Sequence, residues 1–107
     1  MSDTQKNFYK KFLGRSGEAL AVKYLKKKKY KILQTNFTTF IGEIDIIAMV
    51  EGTIVFVEVK TRTSETFGRP SEAVNYTKQQ KYRKMACQYL NREEFVDIPF
   101  RFDVLEI

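Results

Sequence analysis

The 107-residue chain contains no histidine and a single cysteine, Cys87. Those shortages remove the ligands from which a zinc site is normally built, and a lone cysteine cannot form an internal disulfide. The framework therefore carries no mark of an oxidising compartment, and Cys87 reads as a small buried apolar residue on a helix. Also missing is any apolar run approaching the length of a membrane span, and the polar opening Met1-Ser2-Asp3-Thr4-Gln5-Lys6 has no signal-peptide character. A cytoplasmic protein with no membrane partner is expected. The sequence has no internal repeat, low-complexity tract or linker, and its length suits one domain, residues 1–107, with a modest core.

What the chain has in excess is positive charge, with 19 Lys and Arg against 13 Asp and Glu and a formal net charge of +6. That balance favours a polyanionic partner, although many basic proteins bind nothing anionic specifically. The acids are more informative, because they are concentrated on apolar strands. Gly42-Glu43-Ile44-Asp45 and Phe56-Val57-Glu58-Val59-Lys60 flank Val50-Glu51-Gly52-Thr53, a turn between two apolar runs, so Glu43 to Thr61 reads as a β-hairpin. If Glu51 and Gly52 form the loop, Val50 faces Thr53, and counting back along both strands sets Asp45 opposite Glu58 and Glu43 opposite Lys60. Alternation then puts Glu43, Asp45, Ile47 and Met49 on one face with Ile54, Phe56, Glu58 and Lys60. Ile44, Ile46 and Ala48 share the other face with Val55, Val57 and Val59. Such a hairpin is covered on both sides and has a charged pocket where its cover ends.

Directly opposed carboxylates, with Cβ atoms about 4.5–5.5 Å apart, repel unless a positive charge intervenes. A divalent cation fits, since two hard oxygen donors completed by water suit Mg²⁺ or Mn²⁺. Lys60 lies on the same face roughly 6–7 Å further along the strand, within reach of a scissile phosphate or an attacking water. The competing explanation is a cross-strand salt-bridge patch, Glu43 with Lys60 and Asp45 beside them, on a solvated sheet. The apolar opposite face and the continuous Ile-Val-Phe-Val run count against it.

The rest of the chain supplies the cover. A first helix is expected from about Tyr9 to Lys27, with Glu18, Val22 and Leu25 on one stripe. A carboxylate on an apolar stripe needs a partner: Glu18 points into the pocket of Asp45, or it pairs with Arg15 or Arg62. Gly14, Gly17 and Ala21 form a small-residue face suited to close approach by the sheet or a nucleic-acid strand. Lys26 to Lys29 read as a solvated helix end, and Tyr30 to Thr39 as a first strand. The loop Thr63 to Ser71 is either an ordinary connection or a segment placed to close over a substrate. A second long helix starts near Thr77, where Thr77 and Gln80 match a capping box, and buries Tyr82, Met85, Ala86 and Tyr89. Lys78 and Lys81, near its N-terminus, are assigned to phosphate, with a solubilising role as the alternative. Phe100 to Ile107 reads as a last strand carrying Phe100, Phe102 and Val104 on one face, with Asp103 as the partner of a cation.

An Asp followed, on the next strand, by Glu-x-Lys resembles the PD-(D/E)xK nuclease superfamily, which includes restriction endonucleases and Holliday-junction resolvases. Over nearly its whole length the chain looks like the YraN-like group, uncharacterised protein family 0102. The resemblance is carried by Gly14-Arg15-Ser16-Gly17-Glu18, Asn36-Phe37, Gly42-Glu43-Ile44-Asp45, Phe56 to Arg62, Phe67-Gly68, Ala73-Val74, Lys78 and Arg101-Phe102-Asp103-Val104. The superfamily label has Pro before the Asp, where this chain has Ile44. The resemblance implies Asp45 and Glu58 as metal ligands, Lys60 as the catalytic lysine and Glu18 as a helix-borne acid near the metal.

The expected architecture is a restriction-endonuclease-like α/β domain of order αβββαβ, with a central mixed sheet between helices. The expected function is Mg²⁺- or Mn²⁺-dependent hydrolysis of phosphodiester bonds in DNA, at branched or otherwise structured sites, with Arg15, Arg62, Lys78 and Lys81 as nucleic-acid contacts. Two alternatives stand beside it: a nucleic-acid-binding domain that keeps the fold without turnover, and an interaction module whose charged pocket is structural. A homodimer stays open as a partner state.

Overall fold

A computed structural model of the chain describes residues 17–61 and 76–107. Expectations placed on Arg15, Arg62, Gly14 and the Thr63–Ser71 loop lie outside the described residues. The elements are a helix over residues 17–27 (α1), strands Lys31–Thr38 (β1), Glu43–Val50 (β2) and Thr53–Lys60 (β3), helix Tyr76–Arg92 (α2) and strand Phe100–Glu106 (β4). The expected order αβββαβ is the observed one. Among the described residues no helix is long and apolar enough to cross a membrane.

The hairpin closes in the register counted from its turn, with Val50↔Thr53, Ile47↔Phe56 and Ile46↔Val57 as partners. Glu51 and Gly52 both have positive φ, 50° and 77°, which is the type I′ geometry that matches the twist of the flanking strands. β1 adds antiparallel to β2, while β4 lies parallel to β3 from Ile54↔Phe100 to Lys60↔Glu106, giving a mixed sheet of order β1-β2-β3-β4. A parallel neighbour requires a crossover, and α2 lies on that connection.

The sheet is buried on both faces. On one, Ile47, Ile54 and Phe56 pack with Met85, Ala86 and Tyr89 of α2; on the other, Ile46, Ala48, Val55 and Val57 pack with Ala21 and Leu25 of α1. Fully burying each large aliphatic or aromatic side chain contributes about 1.5–3 kcal/mol, so the hairpin, which holds the largest fully buried ones, is the centre of stability. Small residues let α1 sit close. A Cβ added to Gly17 would come within 2.3 Å of Thr61 Oγ1, at the end of β3.

Both helices end without glycine. Tyr30 N–H donates to Leu25 C=O and Lys29 N–H to Lys26 C=O, with Lys29 at φ 72°, a Schellman termination. The same bonds recur after α2, from Phe95 to Leu90 and from Glu94 to Asn91, with Glu94 at φ 57°. In each case the residue after the left-handed one, Tyr30 or Phe95, packs onto the nearby core.

Three expectations are corrected. Ile44 does not share a face with Ile46: it pairs with Phe37 in the core under α2, whereas Ile46 packs under α1. Strict alternation fails between them at the level of Asn36, the β1 residue between the partners Thr35↔Ile46 and Phe37↔Ile44, which itself adopts a left-handed φ of 53°. Cys87 is exposed, because it follows Ala86 by one residue and so lies about 100° around the helix from the buried stripe. Tyr82 is only half-buried. Phe100, Phe102 and Val104 do share a face, with Phe102 stacked 5.5 Å from Phe56, yet they keep 36–44% of their surface because β4 is an edge strand.

Candidate active site

The end of the sheet opposite the Glu51-Gly52 turn gathers the start of β2, the end of β3 and the first turn of α2 around α1 residue Glu18. The regular β2–β3 pairing stops at Ile46↔Val57. Beyond it, Asp45 Oδ2 accepts a hydrogen bond from Val59 N–H at 2.8 Å, so a side chain takes over a donor that the ladder would otherwise use. The two strands are thereby held while their ends remain open for chemistry.

Glu18, Glu43 and Asp45 meet at this opening, with one carboxylate oxygen from each lying within 4.8 Å of the others. Glu18 arrives because Gly17 and Ala21 let α1 close on the sheet. Glu43 arrives at the start of β2, two residues before Asp45 and paired with Thr38 at the end of β1. Asn36 stands between two of the acids: with its side-chain amide turned so that nitrogen and oxygen exchange places, the nitrogen donates to Glu18 Oε2 at 2.9 Å and to Glu43 Oε1 at 2.8 Å. Burial raises the pKa of Glu18, and the charges of Asp45 and Glu43 raise it further, against the lowering effect of Asn36. Burial also raises the pKa of Asp45; the Val59 N–H opposes this, and the charge of Glu58 adds to it.

Glu58 sits differently. Its Oε1 is held by Lys60 Nζ at 2.8 Å and Lys78 Nζ at 2.5 Å. Burial opposes its ionisation, but the two lysines outweigh burial and hold its pKa below the ordinary value. Lys60 in turn has a raised pKa, chiefly through its hydrogen bond to Glu58. Tyr82 stands beside this carboxylate, its phenol kept neutral by burial and by the charge of Glu58. Glu58 Oε2 is buried and has no hydrogen-bond partner among the described residues. A buried carboxylate oxygen without a donor is costly unless something positive reaches it.

Set against the sequence expectations, the structure brings Glu18 to Asp45 and places Lys60 beside Glu58. It forms neither the directly opposed Asp45–Glu58 pair nor the Glu43–Lys60 pair that counting suggested: the β2–β3 pairing ends at Ile46↔Val57, the acids that converge with Asp45 are Glu18 and Glu43, and Lys60 turns to Glu58 on its own strand. Lys78, expected on phosphate, reaches Glu58 from α2, while Lys81 lines the neighbouring groove with Gly42 and Glu43. Asp103 pairs with a cation as expected, Arg101 at 3.2 Å. Sequence reasoning missed Glu43 and Asn36 as members of the acidic cluster. An Asn interrupting a strand was the available clue, since Asn is the residue other than Gly that best tolerates the left-handed region.

The family model for uncharacterised protein family UPF0102 matches residues 17–107. A UPF0102 protein of Alkaliphilus oremlandii is 58% identical over 99 residues, covering 91% of this chain and 85% of the relative. A UPF0102 protein of Caldanaerobacter subterraneus subsp. tengcongensis is 53% identical over 102 residues, covering 95% and 84%. One from Thermodesulfovibrio yellowstonii is 53% identical over 97 residues, covering 89% and 84%. With the match running from the acid-bearing helix through the hairpin to the last strand, the chain belongs to the UPF0102 family.

Proposed function

We propose that this protein is a divalent-metal-dependent nuclease that hydrolyses phosphodiester bonds in structured DNA. The observation that carries the proposal is the meeting of Glu18, Glu43 and Asp45 beside a Glu58–Lys60 pair on a chain of net charge +6. The donor set suits a hard cation. One carboxylate oxygen from each of Glu18, Glu43 and Asp45 lies within 4.8 Å of the others, so three hard donors are already gathered at one point of the fold. The unpartnered Glu58 Oε2 is a further oxygen with a reason to accept positive charge.

Glu18, Glu43 and Asp45 would hold Mg²⁺ or Mn²⁺, with Glu58 alongside. Bound there, the cation supplies positive charge against a phosphodiester oxygen and makes water a stronger acid. Asp45 is fixed by the Val59 N–H, and Asn36, in the amide orientation that donates to both, would hold Glu18 and Glu43. Lys60 cannot serve as a general base, because its contact with Glu58 keeps it protonated. It acts instead as a donor, orienting the attacking water or neutralising charge that builds up on the phosphorane. Lys81 and the basic surface of α2 would hold flanking phosphates.

Single-turnover cleavage of a panel of four-way, flapped, single-stranded and duplex DNAs with Mn²⁺, with and without chelator, tests the reading. Wild type should cut at least one branched substrate only when metal is present. Lys60→Ala should lose about two to three orders of magnitude in rate, while the log-log salt slope of binding changes by only about 0.9. A second reading, a nucleic-acid-binding domain without turnover, draws support from the two lysines that already neutralise Glu58. Multi-contact, salt-dependent DNA binding with no cleavage under any metal would favour it.

A further inference from the structure

One apolar side chain near the acidic cluster has no place in the core. Phe40, in the turn from β1 to β2, is 104% exposed, so its ring packs against nothing among the described residues. The turn that carries it is tightly built. Thr39 N–H donates to Gly42 C=O at 2.7 Å, the Thr39 hydroxyl donates to the same carbonyl at 3.1 Å, and Thr39 Oγ1 accepts from Ile41 N–H at 3.0 Å and Gly42 N–H at 3.2 Å. The next side chain, Ile41, packs onto the core under α2 and anchors the turn from below. Phe40 is thus held outward by a fixed support.

Its neighbourhood points to the chemistry of a partner. Phe40 precedes Glu43 by three residues, so its backbone lies within about 10 Å of that member of the acid cluster. The adjacent groove is lined by Ile41, Gly42, Glu43, Thr77, Lys78 and Lys81. A protein partner of ordinary kind would need a contiguous apolar patch, whereas this exposed ring follows half-buried Thr39 and directly precedes Ile41 and Gly42, which line a lysine-bearing groove. A nucleotide supplies what fits: a flat π-face for the ring, and a phosphate close by for Lys81.

We infer that Phe40 is a stacking residue for an unpaired nucleobase of the DNA substrate. Openings in the duplex, bulges and single-stranded branches, are then the preferred substrate class over continuous duplex. The inference rests on the nucleic-acid reading above and deepens it.

The experiment titrates wild type, Phe40→Ala, Phe40→Leu and Phe40→Trp against two DNAs in chelator. One carries a single unpaired 2-aminopurine and the other is the same sequence fully paired. Wild type should bind the bulged DNA more tightly and change the 2-aminopurine fluorescence. Phe40→Ala and Phe40→Leu should bind it roughly five- to a hundred-fold more weakly and lose the fluorescence change, Phe40→Trp should keep both, and duplex affinity should stay level. Because Phe40 packs against nothing, all three variants should melt with wild type, which separates the effect from misfolding. Wild type that binds neither DNA overturns the nucleic-acid reading and this inference with it. Wild type that binds normally while Phe40→Ala behaves identically overturns only the assignment of Phe40. So does a wild-type dimer that dissociates on Phe40→Ala, since the ring would then belong to contact with a second copy.

Discussion

Asp45 does two jobs with one carboxylate: it caps the open end of the hairpin through Val59 N–H and it contributes negative charge to a crowded cluster. Asn can perform the first without the second, since its side-chain carbonyl still accepts the N–H. Asp45→Asn should therefore raise the metal-free melting temperature, by about 4–8 °C for each kcal/mol of repulsion relieved, and thermal unfolding in chelator measures it. The pH dependence has a defined sign. Glu18 and Asp45 have raised folded-state values, so the folded chain holds more protons than the unfolded one, and stability falls as pH climbs from the ordinary carboxylate range through those values. Glu58 runs the other way: its lowered value gives stability that is present above its unfolded value and is lost as pH falls through the folded one. Urea midpoints against pH should show Glu18→Gln/Asp45→Asn gaining on wild type above about pH 5 and converging with it in acid, with the Glu58-dependent acid limb kept. A double variant weaker than wild type at neutral pH would mean that attraction, not repulsion, governs the cluster.

Among the elements, the helix ends offer a clean test of backbone physics. Lys29 and Glu94 both occupy left-handed positions, which cost a residue with a Cβ roughly 1–2 kcal/mol relative to Gly. Part of that gain returns as unfolded-chain entropy, so Lys29→Gly and Glu94→Gly should each stabilise the fold by about 0.5–1 kcal/mol, read as a higher urea midpoint at constant m-value. A fall in midpoint for both would mean that the lysine and glutamate side chains hold the caps. These positions also explain what the sequence disclosed and what it hid. The hairpin register was legible because Glu51-Gly52 announces a two-residue loop and the apolar runs alternate on either side. The break in alternation between Ile44 and Ile46 was not, because Glu43, Ile44 and Asp45 alternate normally on paper and the left-handed residue at their level, Asn36, lies on the neighbouring strand. Glu18 was legible as an acid on an apolar stripe; the capture of Glu58 by Lys78 depends on where α2 lands, which no local pattern encodes.

For the whole molecule, the decisive feature is that the cluster is drawn from distant parts of the chain: Glu18 on α1, Glu43 and Asp45 on β2, Glu58 and Lys60 on β3, and Lys78 on α2. Apart from the chain neighbours Glu43 and Asp45, and Glu58 and Lys60, these groups are not held near one another once the sheet and its two covering helices separate. A cation that binds the cluster must then bind the folded state almost exclusively, and mass action converts its affinity into global stability. At a free Mn²⁺ concentration a hundred times Kd the gain is about 2.7 kcal/mol, which for a chain of this size is a rise of roughly 10–20 °C in melting temperature. The rise should follow the logarithm of Mn²⁺ concentration, shrink strongly in Glu18→Gln and Asp45→Asn, and remain in Phe40→Ala, whose ring lies outside the cluster. Calorimetry of the folded protein should return the same Kd as the thermal shift, because one site and one unfolding transition account for both. A thermal shift of equal size in Glu18→Gln, Asp45→Asn and wild type would place the cation elsewhere and remove the metal from the proposed chemistry. Loss of the shift in the acid variants alone would tie cation binding to the one end of the sheet where hairpin, α1 and α2 meet.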